Sequence, residues 1–236
     1  MHRGFEDELD KLRTRLVRMG SIVEEQVEFA FRALLEGNAE LARIVVERDE
    51  KVDKLDIKID KQCQRIFALQ QPVASDLRLL LAAIKINNEL ERIGDMALNV
   101  ASPVLTVAGI QKFAQDLGVE RITQAAYRMV KASLDAFINN DPELAKHVLP
   151  TDDTVDNLER EIIADVVRMM KSDNSLIDAG VAMVDILRQI ERIADHATNI
   201  AENVIFLIEA RLVRHRQIDS EGNIMDADVS TDDGTI

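Results

Sequence analysis

One stretch of this sequence occurs twice, a hundred residues apart. Residues 89–101 read ELERIGDMALNVA and residues 189–201 read QIERIADHATNIA. Seven of the thirteen positions are identical, among them Glu91/Glu191, Asp95/Asp195 and Asn99/Asn199 at steps of four. Shared helix packing explains repeated apolar residues. It does not require Glu, Asp and Asn at the same steps twice. The match extends backwards, where residues 38–60 align with 141–163 through Asp49/Asp152, Val52/Val155, Asp53/Asp156, Leu55/Leu158 and Ile59/Ile162. The offset is 103 in that region and 100 at the later motif, so the turn near 72–83 is three residues longer than its counterpart near 175–183. Two copies of one supersecondary unit, differing in a turn, are the simplest chain with this pattern.

The unit is helical. Ile86, Leu90, Ile93, Ala97 and Val100 advance by four, three, four and three, and Ile186, Ile190, Ile193, Ala197, Ile200 and Val204 do the same. That is the spacing of a helix that buries one stripe. Only nine Gly and four Pro interrupt 236 residues, which favours long helices over many short strands. Six helices are expected, three per repeat: 5–35, 39–69, 75–101, 118–139, 141–173 and 174–214. Asn38 stands where the second begins. Ser75 or Asp76 caps the third, and Pro103 stops it. Asp141-Pro142 opens the fifth as N-cap and first helical residue. Pro150 kinks or breaks the fifth. Short connections make neighbouring helices antiparallel. The predicted fold is all-α, two tandem antiparallel three-helix bundles over 1–108 and 109–214, with an acidic, flexible tail over 215–236.

On the third and sixth helices Glu91, Asp95 and Asn99, and Glu191, Asp195 and Asn199, fall roughly opposite the apolar stripe. On the second, Asp49, Asp53, Asp56 and Asp60 form a row a quarter turn from Val52, Leu55 and Ile59. Asp152, Asp156 and Glu159 are its counterpart on the fifth. Each repeat therefore carries two outward carboxylate rows on consecutive helices. Like charges four apart repel by about 0.2–0.5 kcal/mol per pair. A bound cation reverses that sign. Carboxylate and amide oxygens without thiolate or paired His suit hard ions such as Mg²⁺, Mn²⁺, Ca²⁺ or iron. The alternative is a solvated acidic surface, with Arg48, Arg92 and Arg192 neutralising the rows by ion pairs.

Net charge is −14, which disfavours nucleic acid as a partner because phosphate must be met by Lys and Arg. The single cysteine, Cys63, excludes a disulfide within the chain and lies on an apolar stripe, as a buried thiol does. No apolar run approaches the ~20 residues of a bilayer span, and the charged N-terminus lacks a signal-peptide core, so a cytoplasmic protein without membrane insertion is expected. His196 replaces Met96 of the first repeat and is expected at a surface or boundary position. No Gly-rich phosphate loop, Ser/His/Asp set or Cys/His pair of catalytic spacing occurs.

The motifs Asp49-Glu50-Lys51-Val52-Asp53, Glu91-Arg92-Ile93-Gly94-Asp95, Asp152-Asp153-Thr154-Val155-Asp156 and Glu191-Arg192-Ile193-Ala194-Asp195, set in two tandem repeats, resemble the PhoU family over residues 5–210. The resemblance implies a cytoplasmic, non-enzymatic homodimer. It implies negative regulation of phosphate uptake and of the phosphate regulon, as an adaptor between the phosphate ABC transporter and a sensor histidine kinase. It also implies metal on the acidic motifs, multinuclear iron in some members, with Mn, Mg, Zn or Ca as alternatives. Carried over motif by motif, the ligands are Asp49, Asp53, Glu91 and Asp95, and Asp152, Asp156, Glu191 and Asp195. Asp56, Asn99, Glu159 and Asn199 extend the set by spacing. Two other functions compete: a ferritin-like di-iron oxidase, which needs an inward Glu-x-x-His that this chain lacks, and a metal-free helical scaffold.

Overall fold

In the computed structural model, which describes residues 2–213, the apolar stripes fold into eight α-helices: α1 (His2–Glu36), α2 (Ala39–Gln70), α3 (Ala74–Thr106), α4 (Ile110–Asp116), α5 (Glu120–Asn139), α6 (Pro142–Val148), α7 (Asp152–Ser172) and α8 (Ile177–Glu209). No strand forms among the described residues. Helices α1, α2 and α3 pack on one another as one bundle, and α5, α6, α7 and α8 make the second. The expected tail over 215–236 lies outside the described residues.

Local chemistry sets most boundaries. Asn38 caps α2 by accepting from the backbone N–H groups of Glu40 and Leu41. Asp141 Oδ1 accepts from Leu144 N at 3.0 Å, with Pro142 in the first turn of α6. Pro150 does break the fifth predicted helix: a 3₁₀ turn, Leu149–Thr151, separates α6 from α7. Three expectations are corrected. Neither Ser75 nor Asp76 caps α3, which starts one residue earlier with Val73 at the cap position and Asp76 in the first turn. Pro103 does not stop α3. It sits in the last turns, where the helix runs on to Thr106 and Val107 N donates to Pro103 O at 2.8 Å. The last helix ends at Glu209, not near 214, because Ala210 turns left-handed (φ 57°). The short α4 has no sequence signal: seven residues are too few for a period.

The two bundles are joined along α3 and α8, whose packing is the most extensive in the molecule. These helices run antiparallel: the Lys85 ammonium lies 5.3 Å from the Phe206 ring, and Glu89 meets His196 and Asn199. The stripes Ile86, Leu90, Ile93, Ala97, Val100 and Ile186, Ile190, Ile193, Ala197, Ile200, Val204 are all buried. Each Ile or Leu so placed contributes roughly 1.5–3 kcal/mol. Cys63 is buried as expected, and burial pushes its thiol up to about 12. Among the described residues no single helix is long and apolar enough to cross a membrane.

Candidate functional site

With the stripes of α2 and α3 buried, the acidic rows come to lie along the shoulder where these helices meet. The α2 row stands beside its core stripe and is partly covered, whereas the α3 row, expected opposite the core, turns Asp95 outward but leaves Glu91 partly covered. Of these carboxylates Asp49, Asp56 and Glu91 are half-buried, and Asp53 and Asp95 are exposed. The reason is geometric: a helix in a bundle is covered on more than its central stripe, so a row a quarter turn from that stripe is flanked by its neighbour. Burial first, and then Asp95 and Asp53, raise the Asp49 carboxyl. Glu91 is raised by burial and by Asp95, Asp56 and Asp53. Asp95 is raised by burial and by Asp53. The five predicted carboxylates of this repeat therefore share one electrostatic patch across α2 and α3.

The second repeat rebuilds the patch on α7 and α8, with stronger effects. Asp152 is raised to about 6, mainly by burial and then by Asp195 and Asp156. Thr198 faces it and offsets part of this, yet neither Asp152 Oδ1 nor Thr198 Oγ1 completes a hydrogen bond of good geometry. Glu191 is raised to about 7 by burial, Asp195, Glu159, Asp156 and Asp152. Burial and Asp156 raise Glu159 and Asp195, while Arg188 and Arg160 lower the first and His196 and Arg192 the second. The break at Pro150 puts Asp152 in the first turn of α7, where it is half-buried beside α8.

The amide extensions fare differently. Asn99 is exposed. Asn199 turns to the seam between the bundles and donates to Glu89 Oε2 at 3.1 Å. His196 is not a surface residue: it is buried, with Nδ1 2.5 Å from the same Glu89 oxygen. Arg48 leaves the acidic row as well, pairing with Glu25 at 2.5 Å and covering the Phe29 ring. Arg92 and Arg192 act on the patches only at range, lowering Glu91 and Asp195.

Two supporting residues escaped the sequence reading. Gln26 of α1 is fully buried and donates to Gly94 O at 3.3 Å and to Asp49 Oδ1 at 3.5 Å. Asn87 of α3 is fully buried and donates to Asp56 Oδ1 at 2.6 Å. Both were visible as polar residues at core positions, Gln26 beside Val23 and Val27 and Asn87 between Ile86 and Leu90. A buried amide needs a partner, and here the partners are the first-repeat carboxylates.

The donor set is all oxygen and carries more negative charge than its surroundings balance. That suits a hard cation in chemistry. Among the described residues, however, no group of three or more His, Cys, Asp or Glu side chains is arranged to hold an ion. The acidic residues share a patch without forming a ready-made cage, and a cation would have to draw them together by rotamer changes.

Fold and patches together define a class: duplicated α-helical proteins in which each unit bears an acidic patch across its last two long helices. The PhoU domain matches this chain twice, over residues 16–104 and 119–204. The phosphate-specific transport system accessory protein PhoU homolog of Pseudomonas aeruginosa is 38% identical over 212 residues, covering 89% of this chain and 88% of that protein. The Clostridium acetobutylicum homolog of the same description is 31% identical over 210 residues, covering 89% and 96%. The crystal structure of PhoU from Pseudomonas aeruginosa superposes with a TM-score of 0.81 at 36% identity, over 88% of this chain and all of that one. The phosphate transport system regulatory protein PhoU from Streptococcus pneumoniae gives 0.81 at 27% identity, over 89% and 99%. The chain belongs to the PhoU family.

Proposed function

We propose that this protein is a non-enzymatic accessory regulator of phosphate transport whose two acidic patches take metal ions and thereby set its affinity for partners. The first half of this reading is supported by its relatives, which are described as accessory or regulatory proteins of phosphate transport systems. The second rests on one observation: carboxylates from two helices raise one another in both repeats, Glu191 to about 7. Such crowding weakens a fold unless something compensates it.

Asp49, Asp53, Glu91 and Asp95 would hold metal in the first patch, and Asp152, Asp156, Glu191 and Asp195 in the second, with Asp56 and Glu159 beside them. The metal would supply positive charge that cancels the repulsion. The chain's own residues present oxygens on two helices, keep them partly dry and, in the first patch, couple them to the core through Gln26 and Asn87. Occupancy changes the charge of a face, and so its fit to a partner. The partners on this reading are the phosphate ABC transporter and a sensor histidine kinase, met by a cytoplasmic homodimer at the inner face of the membrane.

The test is elemental analysis of protein purified without chelator, combined with a phosphate-regulon reporter. Replacing Glu91 and Glu191 with Gln should lower metal content and derepress the reporter in high phosphate. Unchanged metal content and unchanged signalling would end the proposal. One observation favours a metal-free scaffold instead, namely the lack of a ready-made three-ligand group among the described residues. On that reading the purified protein contains no metal, and both Gln variants still repress.

A further inference from the structure

Five exposed cations run along one side of α2. Lys51, Lys54, Lys58, Lys61 and Arg65 advance by three, four, three and four, which makes a single row about 21 Å long. The row lies on the flank of α2 that turns to α1. Beside it, Gln62 accepts from Arg15 Nη1 at 2.6 Å and donates to Glu8 O at 2.8 Å. The acidic row lies on the other flank, where Asp56 accepts from Asn87 of α3. Lys54 pairs with Glu50 at 2.8 Å. Lys51, Lys58, Lys61 and Arg65 have no ion-pair partner among the described residues. Arg18 of α1, exposed nearly one turn on from Arg15, extends the basic surface. Between Ile57 and Gln70 the one acidic residue of α2 is Asp60, on the far flank. Apolar side chains continue the row at its end. Leu69 follows Arg65 at the next step of four and is 65% exposed, and Val73, in the turn to α3, is 70% exposed. These are the two most exposed large apolar residues among those described.

The duplicated fold does not need this surface. At the offset of 103 the row reads Thr154, Asn157, Glu161, Ala164 and Arg168 on α7, and Arg168 is paired with Asp165 at 2.6 Å. Leu69 corresponds to Ser172. One bundle therefore folds without the row that the other carries. Cations so spaced repel one another. In a chain with 43 acidic and 29 basic residues, carboxylates to neutralise them were plentiful, yet four of the five stand unpaired.

We propose that this row docks the protein on an anionic lipid surface, with α2 lying along the headgroups and Leu69 and Val73 dipping into the interface. A straight cationic row fits a flat, diffusely charged plane and needs no pocket. An acidic peptide would match the charges but gives Leu69 and Val73 nothing to bury in. The net charge of −14 does not prevent docking. The acidic row is a helix width away, about 10 Å, and at physiological ionic strength screening acts over about 8 Å. The flank that bears the first acidic patch then faces away from the lipid, so the proposal does not depend on metal binding there.

Co-sedimentation of the full-length protein with extruded vesicles tests this, in chelator so that no ion bridges the acidic patches to lipid. Vesicles of phosphatidylglycerol and phosphatidylcholine in equal parts should carry the protein down, and vesicles of phosphatidylcholine alone should not. Binding should fall away at about 1 M salt, where screening acts over about 3 Å. Each cation at an anionic surface is worth about fivefold in partition, so Lys58→Gln, Lys61→Gln and Arg65→Gln together should weaken binding about a hundredfold. Leu69→Ser with Val73→Ser should weaken it about fivefold. All five positions are exposed, so thermal unfolding should match the parent's. If a combined variant melts early, Lys61→Gln alone should still lose about fivefold. No binding to anionic vesicles, equal binding to neutral ones, or a triple variant that binds like the parent would overturn the proposal. Retention on a glutamate-rich peptide without binding to vesicles would assign the row to an acidic protein and overturn it as well.

Discussion

Glu191 is where structure and stability meet most directly. Its carboxyl is raised from 4.5 to about 7 by burial and by four acidic neighbours. Unfolding releases it from all of them. Between these two values the native state binds more protons than the unfolded chain, so stability falls as pH rises through this window. A full shift of that size corresponds to about 3 kcal/mol when the group is ionised. The side chain is only half-buried, and solvent screening reduces the cost to about 1 kcal/mol. Glu191→Gln keeps the shape and removes the charge. In chelator at pH 8 the variant should therefore be more stable than the parent by about 1 kcal/mol, or about 2–4 °C in Tm for a chain of this size. Near pH 4.5, where the native carboxyl is protonated, the difference should vanish. Urea denaturation followed by circular dichroism at both pH values measures this. A variant that is destabilised at pH 8, or whose advantage is the same at both pH values, would refute the claim that crowded charge strains the second patch.

Other expectations concern the scaffold. Ile193→Ala empties a fully buried position on the central α8 stripe and should cost about 2–5 kcal/mol in chemical denaturation. Asn38→Ala removes the cap of α2 and should cost about 1 kcal/mol, while Asn38→Asp should cost little. Cys63 should resist alkylation in the native protein at pH 8 and react fully in denaturant, because its thiol is buried and raised to about 12. Gln26→Leu should weaken metal retention in the first patch more than in the second, read by metal analysis, since Gln26 bonds Asp49 but no second-repeat carboxylate.

The helices were legible because they are long and their apolar residues keep a 3.5-residue rhythm that few other structures share. The duplication was legible because polar identities at matched steps have no packing cause. The ends were harder. Pro103 looked like a stop, but it sits in the last turns of α3, so the one backbone bond it removes disturbs only the end of the helix, which runs past it. The partial burial of Glu91 and Glu191 was missed because a helical wheel places residues against one partner, whereas each central helix here has several. The roles of His196, Asn199 and Glu89 were hidden for a different reason. They depend on how α3 of one repeat crosses α8 of the other, and no spacing within either repeat encodes that pairing.

The two patches descend from one pattern, yet their surroundings set them apart. In the first, Asn87 donates to Asp56, and Gln26 to Asp49, so each of these carboxylates gains a bond that favours its charged form. The position of Asn87 is Leu187 in the second repeat, which offers no such donor. There Asp152 and Glu191 rise to about 6 and about 7. A cation entering the second patch competes with protons on carboxyls raised to about 6 and about 7, whereas in the first patch Asp49 and Asp56 each accept a bond that opposes protonation, so the second patch's affinity is the more pH-dependent. Under the metal-binding reading, lowering pH from 8 to 6 should strip the second patch while the first keeps its ion. Metal titrations at both pH values, on a variant with Glu91→Gln and Asp95→Asn and on one with Glu191→Gln and Asp195→Asn, isolate the two patches in turn. The first variant, which retains the second patch, should lose its metal at pH 6. The second should hold it. Equal loss from both would mean that the buried amides beside the first patch serve packing alone.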